Sequence, residues 1–272
     1  MARILFILLG LLFTLGCLSN AITTDDNETM GLNDRYNRLG INPLPDAIPV
    51  FDDGAEYVLT DPTDVYKHGV LGDTIEASSL TIIDEEGIRK IDFTPQVFEG
   101  LFPLVTDFNG DGRKEIIATL SGNGSGAQLA VFNHTGGRIA SSDVLPSGWR
   151  HALSVAEFGP NGELELIDIA MPHVRREVEF FQLKNGELVK VASIKGYSTH
   201  RSGSRNLGLF GVIEEDGRFL LIVPTADFNS IAAISRTDGG AVEVWRKQID
   251  EPMQDISVVD GELFVNGEEV NY

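Results

Sequence analysis

The nine residues Asp107-Phe108-Asn109-Gly110-Asp111-Gly112-Arg113-Lys114-Glu115 set side-chain oxygens at positions 1, 3, 5 and 9 of one short loop. Calcium takes about six to eight hard oxygen ligands in a flexible cage, and this spacing supplies four of them. Asp107, Asn109, Asp111 and Glu115 are expected to bind through their side chains and Arg113 through its carbonyl. Gly112 takes the sharp turn without a Cβ clash. A helical calcium loop would carry its last acidic ligand at position 12, but that position is Ala118, inside an apolar β-like run.

A second group with chemical potential is basic and aromatic: Trp149, Arg150, His151, His200, Arg201, Arg205 and Asn206. His151 and His200 stand at matching places in two neighbouring repeat units, so the fold could bring them together. Such a patch on an acidic protein could receive a carboxylate or an acidic sugar. Recognised catalytic motifs are missing: there is no Gly-x-Ser-x-Gly, no His-Glu-x-x-His and no phosphate loop. His68, His134 and His173 are scattered along the chain and read as surface or packed residues.

The elements that must position these groups form a repeat. Asp53-Gly54, Asp111-Gly112, Asn161-Gly162 and Asp216-Gly217 recur at glycine spacings of 58, 50 and 55 residues, each followed by a strand-like run. A second glycine turn follows 22 to 33 residues later, near Gly87, Gly137, Gly186 and Gly239, between two further runs. About four short strands per unit at this pitch predict an all-β propeller. A fifth unit starts at Ile256–Val259 and Glu262–Val265. A strand near Ile48-Pro49-Val50-Phe51 is expected to complete it, for about five blades. An incomplete ring and a β-sandwich are the alternatives.

Around Leu104–Gly112 the repeat resembles the FG-GAP or VCBS type, a calcium-binding propeller unit of integrin α-chains and bacterial secreted proteins. Gly148-Trp149-Arg150-His151, Phe158-Gly159-Pro160-Asn161-Gly162 and Ser204-Arg205-Asn206-Leu207 are similar to bacterial VCBS-containing chains. The resemblance spans roughly residues 50–250 and implies a propeller with calcium, but no defined activity. The third unit keeps Glu157, Asn161 and Glu165 but has Gly159 at the third loop position, which makes it a weaker site.

Forty-one Asp and Glu against 21 Lys and Arg give a formal charge of −20, which disfavours nucleic acid and anionic lipid. Arg3 and the apolar run Ile4–Leu15 read as a signal peptide, too short to span a bilayer. Cys17 is the only cysteine and closes a lipobox-like Thr14-Leu15-Gly16-Cys17, with cleavage after Ala21 as the alternative. Residues 1–17 are then a signal, 18–45 a polar linker and 46–272 the propeller. These observations lead to an exported protein of the periplasm, the cell surface or the medium. It would bind calcium and a protein or glycan, would touch membrane only through a lipid, and would not be an enzyme. The second reading is an enzyme acting on an anionic sugar or small anion through His151, His200 and the arginines.

Overall fold

A computed structural model describes residues 26–272; the apolar leader and Cys17 lie outside the described residues. The first blade holds β1 (Val50–Asp52), β2 (Ala55–Thr63), β3 (Glu76–Asp84) and β4 (Gly87–Asp92). A two-residue strand, β5 (Val97–Phe98), leads to the second blade: β6 (Leu104–Thr106), β7 (Glu115–Gly122), β8 (Gly126–Phe132) and β9 (Arg138–Ser141). The third is β10 (Arg150–Ala156), β11 (Glu165–Ala170), β12 (Glu177–Lys184) and β13 (Glu187–Lys195). The fourth is β14 (Gly211–Glu215), β15 (Arg218–Pro224), β16 (Ser230–Thr237) and β17 (Gly240–Gln248). The fifth is β18 (Ile256–Val259), β19 (Glu262–Val265) and β20 (Glu268–Glu269). Within each blade, successive strands pair antiparallel. β5 pairs with both β3 and β7, which joins the first two blades into one nine-stranded sheet.

The turn chemistry explains the register. Asp53-Gly54 (φ 46° and 77°) and Asp216-Gly217 (φ 50° and 71°) hold two successive residues at positive φ, as a two-residue hairpin requires. Asn or Asp tolerates the first position and glycine the second, so this dipeptide recurs where strands reverse.

The core is a stack of layers, one between each pair of neighbouring blades. Successive side chains of a strand point to opposite faces. Ile116 of β7 therefore packs toward the first blade with Leu80, Ile82 and Phe98, while Ile117 packs toward the third with Leu166 and Phe181. A third layer joins Ile167, Phe180, Leu221 and Val223 of blades three and four, and a fourth joins Ile222, Ile231, Ile256 and Leu263 of blades four and five. A sandwich has one core between two sheets. Several layers between successive sheets make a propeller, and the fold class read from the repeat stands.

Two expectations are corrected. The N-terminal strand does not complete the last blade: Val50, Phe51 and Asp52 pair with Tyr57, Glu56 and Ala55 in the first blade, through the Asp53-Gly54 hairpin. The fifth blade has three strands, and among the described residues no sheet pairing joins it to the first. The segment read as a polar linker, with one short turn of helix at most over Met30–Arg38, contains a longer helix, α1 (Asp26–Leu39). Tyr36, Ile41 and Leu32 of that region pack against Val58 and Ile83 on the face of blade one turned away from blade two. The Tyr36 hydroxyl and the Arg35 guanidinium both bond the buried carboxylate of Glu56. The helix does for this face what a neighbouring blade does elsewhere.

Candidate functional site

Strand parity sorts the loops onto two ends of the propeller. Connections from first to second strand of a blade lie at one end. Those from second to third strand, and those entering each new blade, lie at the other. The Asp107–Glu115 loop joins β6 to β7 and belongs to the first end. Asp107 accepts N–H bonds from Gly110, Asp111 and Gly112 at 2.8, 3.1 and 2.9 Å. Glu115 accepts from Phe108 and Asn109 at 2.9 and 3.2 Å. The Asn109 amide nitrogen sits between Asp111 and Glu115, at 3.3 and 3.1 Å. It bridges two carboxylates where a cation would. Burial raises the Glu115 pKa above the ordinary carboxylate range, and Asp111 and Asp107 add to the effect against its two backbone bonds. The donor set is all hard oxygen and suits calcium. Among the described residues, however, no three His, Cys, Asp or Glu side chains stand grouped as metal ligands. The matching glutamate of blade three, Glu165, is answered by protein: Arg236 at 2.8 Å and Gln182 at 2.8 Å. The weaker third-unit loop therefore has no role for a cation at Glu165.

The opposite end gathers the second group, though not as a unit. Trp149 and His151 lie on one side of the chain entering β10, and Arg150 on the other. The Trp149 ring stacks on His151 (centroids 5.1 Å apart, planes 14°) and meets His200 edge-on at 5.0 Å. His151 and His200, which the repeat was expected to bring together, each rest against the Trp149 ring. Arg150 instead runs into its blade, bonding Asp168 and Glu179 at 2.8 Å each, with all three side chains at 0% exposure. Arg205 pairs with Asp46 and Asp73, and Asn206 donates to the Gln254 carbonyl at 2.6 Å. Arg201 lies over Phe228, 4.1 Å from the ring centroid, beside a cavity of ≈ 260 Å³ that Asp227, Asp250 and Glu251 also line. Two of the three arginines expected to receive an anion are therefore already neutralised.

Sequence reasoning missed half of the cluster. His173 joins it from the β11–β12 connection, with Nε2 2.8 Å from His200 Nδ1. His200 Nε2 lies 2.9 Å from the Ser204 carbonyl, which only accepts, so Nε2 must carry the proton and Nδ1 must receive one from His173. Burial lowers the pKa of both rings, which favours the neutral imidazoles this arrangement needs. Burial pushes the His151 pKa down to about 3, with His200 adding to it, and the His173 pKa down to about 4, with His200, His68 and Arg176 adding. His68, on the β2–β3 connection, places Nδ1 2.5 Å from Glu99, whose other oxygen accepts from Ser121. The Trp149 indole donates to the Glu99 carbonyl at 3.1 Å, tying the two halves together. The bond to Glu99 raises the His68 pKa against its burial. Glu76, 2% exposed, is pushed up to about 9 by burial and then by the charges of Glu99 and Asp73. The environments of the two glutamates differ in kind: Glu99 is met by an imidazole and a hydroxyl, whereas Glu76 is held neutral at physiological pH. A cavity of ≈ 30 Å³ beside Glu99, Trp149, His151 and Thr119 has room for about one water. Strand parity was the available signal, because 64–75, 171–176 and the segments before β10 and β14 all fall at one end.

No family model and no curated protein matches the chain. Among solved structures, it is similar to a candidate 6-phosphogluconolactonase of Bacteroides fragilis: 14% identity, TM-score 0.48, covering 80% of this chain and 61% of that one. A functionally unknown protein of Desulfotomaculum acetoxidans follows at 15% and 0.47, covering 82% and 62%. An exo-β-1,3-galactanase of Phanerochaete chrysosporium stands at 8% and 0.43, covering 81% and 55%. The chain thus spans about 60% of the length of the first two. The expectation that the chain is not an enzyme is corrected by these neighbours. Those with a stated activity include, besides the lactonase and the galactanase, a rhamnogalacturonan lyase and a β-1,3-galactosidase. At these identities the likeness speaks to the fold and assigns no substrate here.

Proposed function

We propose that the protein is a propeller enzyme that performs acid–base chemistry on a sugar or sugar-derived compound at the end where His68, Glu76, Glu99 and Trp149 meet. One observation carries the reading: a buried carboxylate orients a partly exposed histidine, and a second carboxyl held neutral stands close by. Glu99 accepts from His68 Nδ1–H, which leaves the Nε2 lone pair for a proton from water. Glu76, still protonated near neutral pH, has one to give to a leaving oxygen. Base and acid together fit hydrolysis of a lactone or glycoside by water. The ligand favoured is uncharged, because Arg150 and Arg205 are ion-paired and His151, His173 and His200 are neutral. This amends the anionic sugar suggested by the arginine count.

The Asp107–Glu115 loop, at the opposite end, is proposed to hold calcium in a structural role. Asp107, Asn109, Asp111, Glu115 and the Arg113 carbonyl would provide the ligands, in keeping with the FG-GAP or VCBS resemblance. A bound calcium would neutralise the loop's carboxylates and fix the turn that starts β7.

The test is turnover of a panel of aldonolactones and chromogenic glycosides by the purified protein, alongside His68→Asn, Glu99→Gln and Glu76→Gln. Loss of a general acid or base costs about 10²–10⁴ in rate. His68→Asn and Glu76→Gln should each fall in that range for any substrate found. A folded protein that turns over nothing in the panel, or variants as fast as wild type, would overturn the reading.

A further inference from the structure

The β2–β3 connection stands apart from its sisters. The loops joining second to third strand are 123–125, 171–176 and 225–229 in blades two to four, but 64–75 in blade one. This longest member does not stay over its own blade. Gly203 N donates to the Val70 carbonyl at 2.8 Å, and Asn123 reaches the Val65 carbonyl at 2.7 Å. Val70 and Leu71 are buried with Leu101, Trp149 and Leu207. Gly72 lies so near the 200–207 segment that a Cβ on it would meet the Gly203 carbonyl oxygen at 2.9 Å. The loop thus crosses from blade one to the entry of blade four, above Trp149.

What lies beneath is nearly dry, whereas what fastens the loop is wet. Trp149, His151 and His200 are 2%, 5% and 1% exposed. The Arg205 side chain, which bonds Asp73 of the loop and Asp46 beside it, is 42% exposed, and its partners 43% and 28%. A ligand has no route to the Trp149 face while the loop is down. The same loop carries His68 and Tyr66, so its position decides whether His68 meets Glu99.

We infer that 64–75 is a lid over the Trp149 cluster, latched by Arg205 to Asp46 and Asp73, whose closure both buries the ligand and brings His68 onto Glu99. The inference rests on that cluster being the reactive site, yet lid opening is measurable without turnover. Exposed ion pairs are weak and screened by salt, so the latch tunes the opening equilibrium without locking it. Two apolar side chains, Val70 and Leu71, hold the loop down from within, and a ligand that fills their place compensates for lifting them.

The chain has two tryptophans, so in a Trp245→Phe background acrylamide quenching reports Trp149 alone. Arg205→Ala should raise the quenching constant, up to about fivefold for a latch of exposed ion-pair strength. Raising sodium chloride to about 1 M should do the same to the parent and little to Arg205→Ala. Gly72→Ala, which wedges a methyl against the Gly203 carbonyl, should open the loop by a separate route. Thermal melts identify any variant whose quenching reflects unfolding. Quenching unchanged in both folded variants and at high salt overturns the lid. Quenching that rises in a protein that turns over none of the panel upholds the lid and overturns the acid–base reading instead.

Discussion

Replacing Arg150 with methionine distinguishes a structural arginine from a ligand-binding one. Arg150 Nη1 bonds Asp168 and Glu179, and its Nη2 reaches Asp143 at 3.0 Å. Burial alone would lower the Arg150 pKa, but the charges of Asp168 and Glu179 more than offset it, so the guanidinium stays charged. The two acids do not suffer equally when it is removed. Glu179 keeps Lys190 at 2.9 Å and Arg175 at 3.1 Å, while Asp168 loses the one side-chain partner it has among the described residues, where its second oxygen has none. Breaking a buried ion pair costs about 3–5 kcal/mol, because the remaining charge is stranded. In a domain of this size that is a fall in melting temperature of roughly 6–20 °C, at about 2–4 °C per kcal/mol. The effect should depend on pH. Burial pushes the Asp168 pKa up to about 7 even with Arg150 present, above its unfolded value. The folded state therefore binds the proton more tightly, and the contribution of Asp168 to stability is lost as pH rises through about 7. Arg150→Met should be most damaging at pH 8 and milder at pH 5, where Asp168 takes up a proton in place of its partner. The double variant with Asp168→Asn should recover much of the loss at pH 8. Urea or thermal melts at the two pH values measure all of this. A single variant within about 1 kcal/mol of wild type at pH 8, or a double variant no better than the single, would refute the argument.

Calcium at millimolar concentration should raise the melting temperature of wild type over chelator, and Asp111→Ala should show no gain. A ligand at about 100 times its dissociation constant adds roughly 2.7 kcal/mol when it binds only the folded state; identical wild-type melts would reduce the loop to a turn. Glu76 has a folded pKa near 9, far above its unfolded value, so it retains a proton on folding and stability should decline as pH rises from about 5 to 9. Glu76→Gln should flatten that decline, and a slope equal to wild type would show that Glu76 is not the group responsible.

The repeat was legible because turn chemistry is local: a hairpin closed by two positive-φ residues takes Asn or Asp followed by Gly, as at Asp53-Gly54 and Asp216-Gly217. The stacked layers were legible from runs such as Glu115-Ile116-Ile117-Ala118, since a strand covered on both faces has no polar alternation. Ring closure was not. Val50–Asp52 could pair with a distant edge or with the next strand, and the Asp53-Gly54 hairpin makes the near partner the cheaper one in chain entropy. The helix was read as no more than a short turn because its residues are mostly polar, Met30, Leu32, Tyr36 and Leu39 apart, and nothing local shows that Val58 and Ile83 wait for a cover. The histidines were missed for a related reason. His68 and His173 sit in connections of different length and composition, and what unites them is the end of the propeller on which those connections fall. Arg150 was misplaced because alternation along a strand turns it away from Trp149 and His151, its immediate neighbours in sequence.

The two equivalent glutamates, Glu115 and Glu165, give the strongest physical reason to expect a cation in one loop only. Both open the second strand of a blade, and both are nearly fully buried, at 2% and 0% exposure. A buried carboxylate must be neutralised, paired or bound to metal. In blade three the pairing is made by Arg236, reaching across from blade four with its own remaining N–H groups on the Thr237 and Gly240 carbonyls. Its neighbouring loop has meanwhile lost the oxygen at the third position to Gly159. In blade two no basic side chain answers Glu115 among the described residues, while Asp107, Asn109 and Asp111 remain in place. The full set of loop oxygens is thus present where the arginine is absent, and the set lacks its third-position member where the arginine is present. In the proposed calcium reading, arginine and calcium would be alternative answers to one buried charge. Introducing an arginine that could reach Glu115 should then abolish any calcium-dependent gain in stability, without the loss that Asp111→Ala alone would cause.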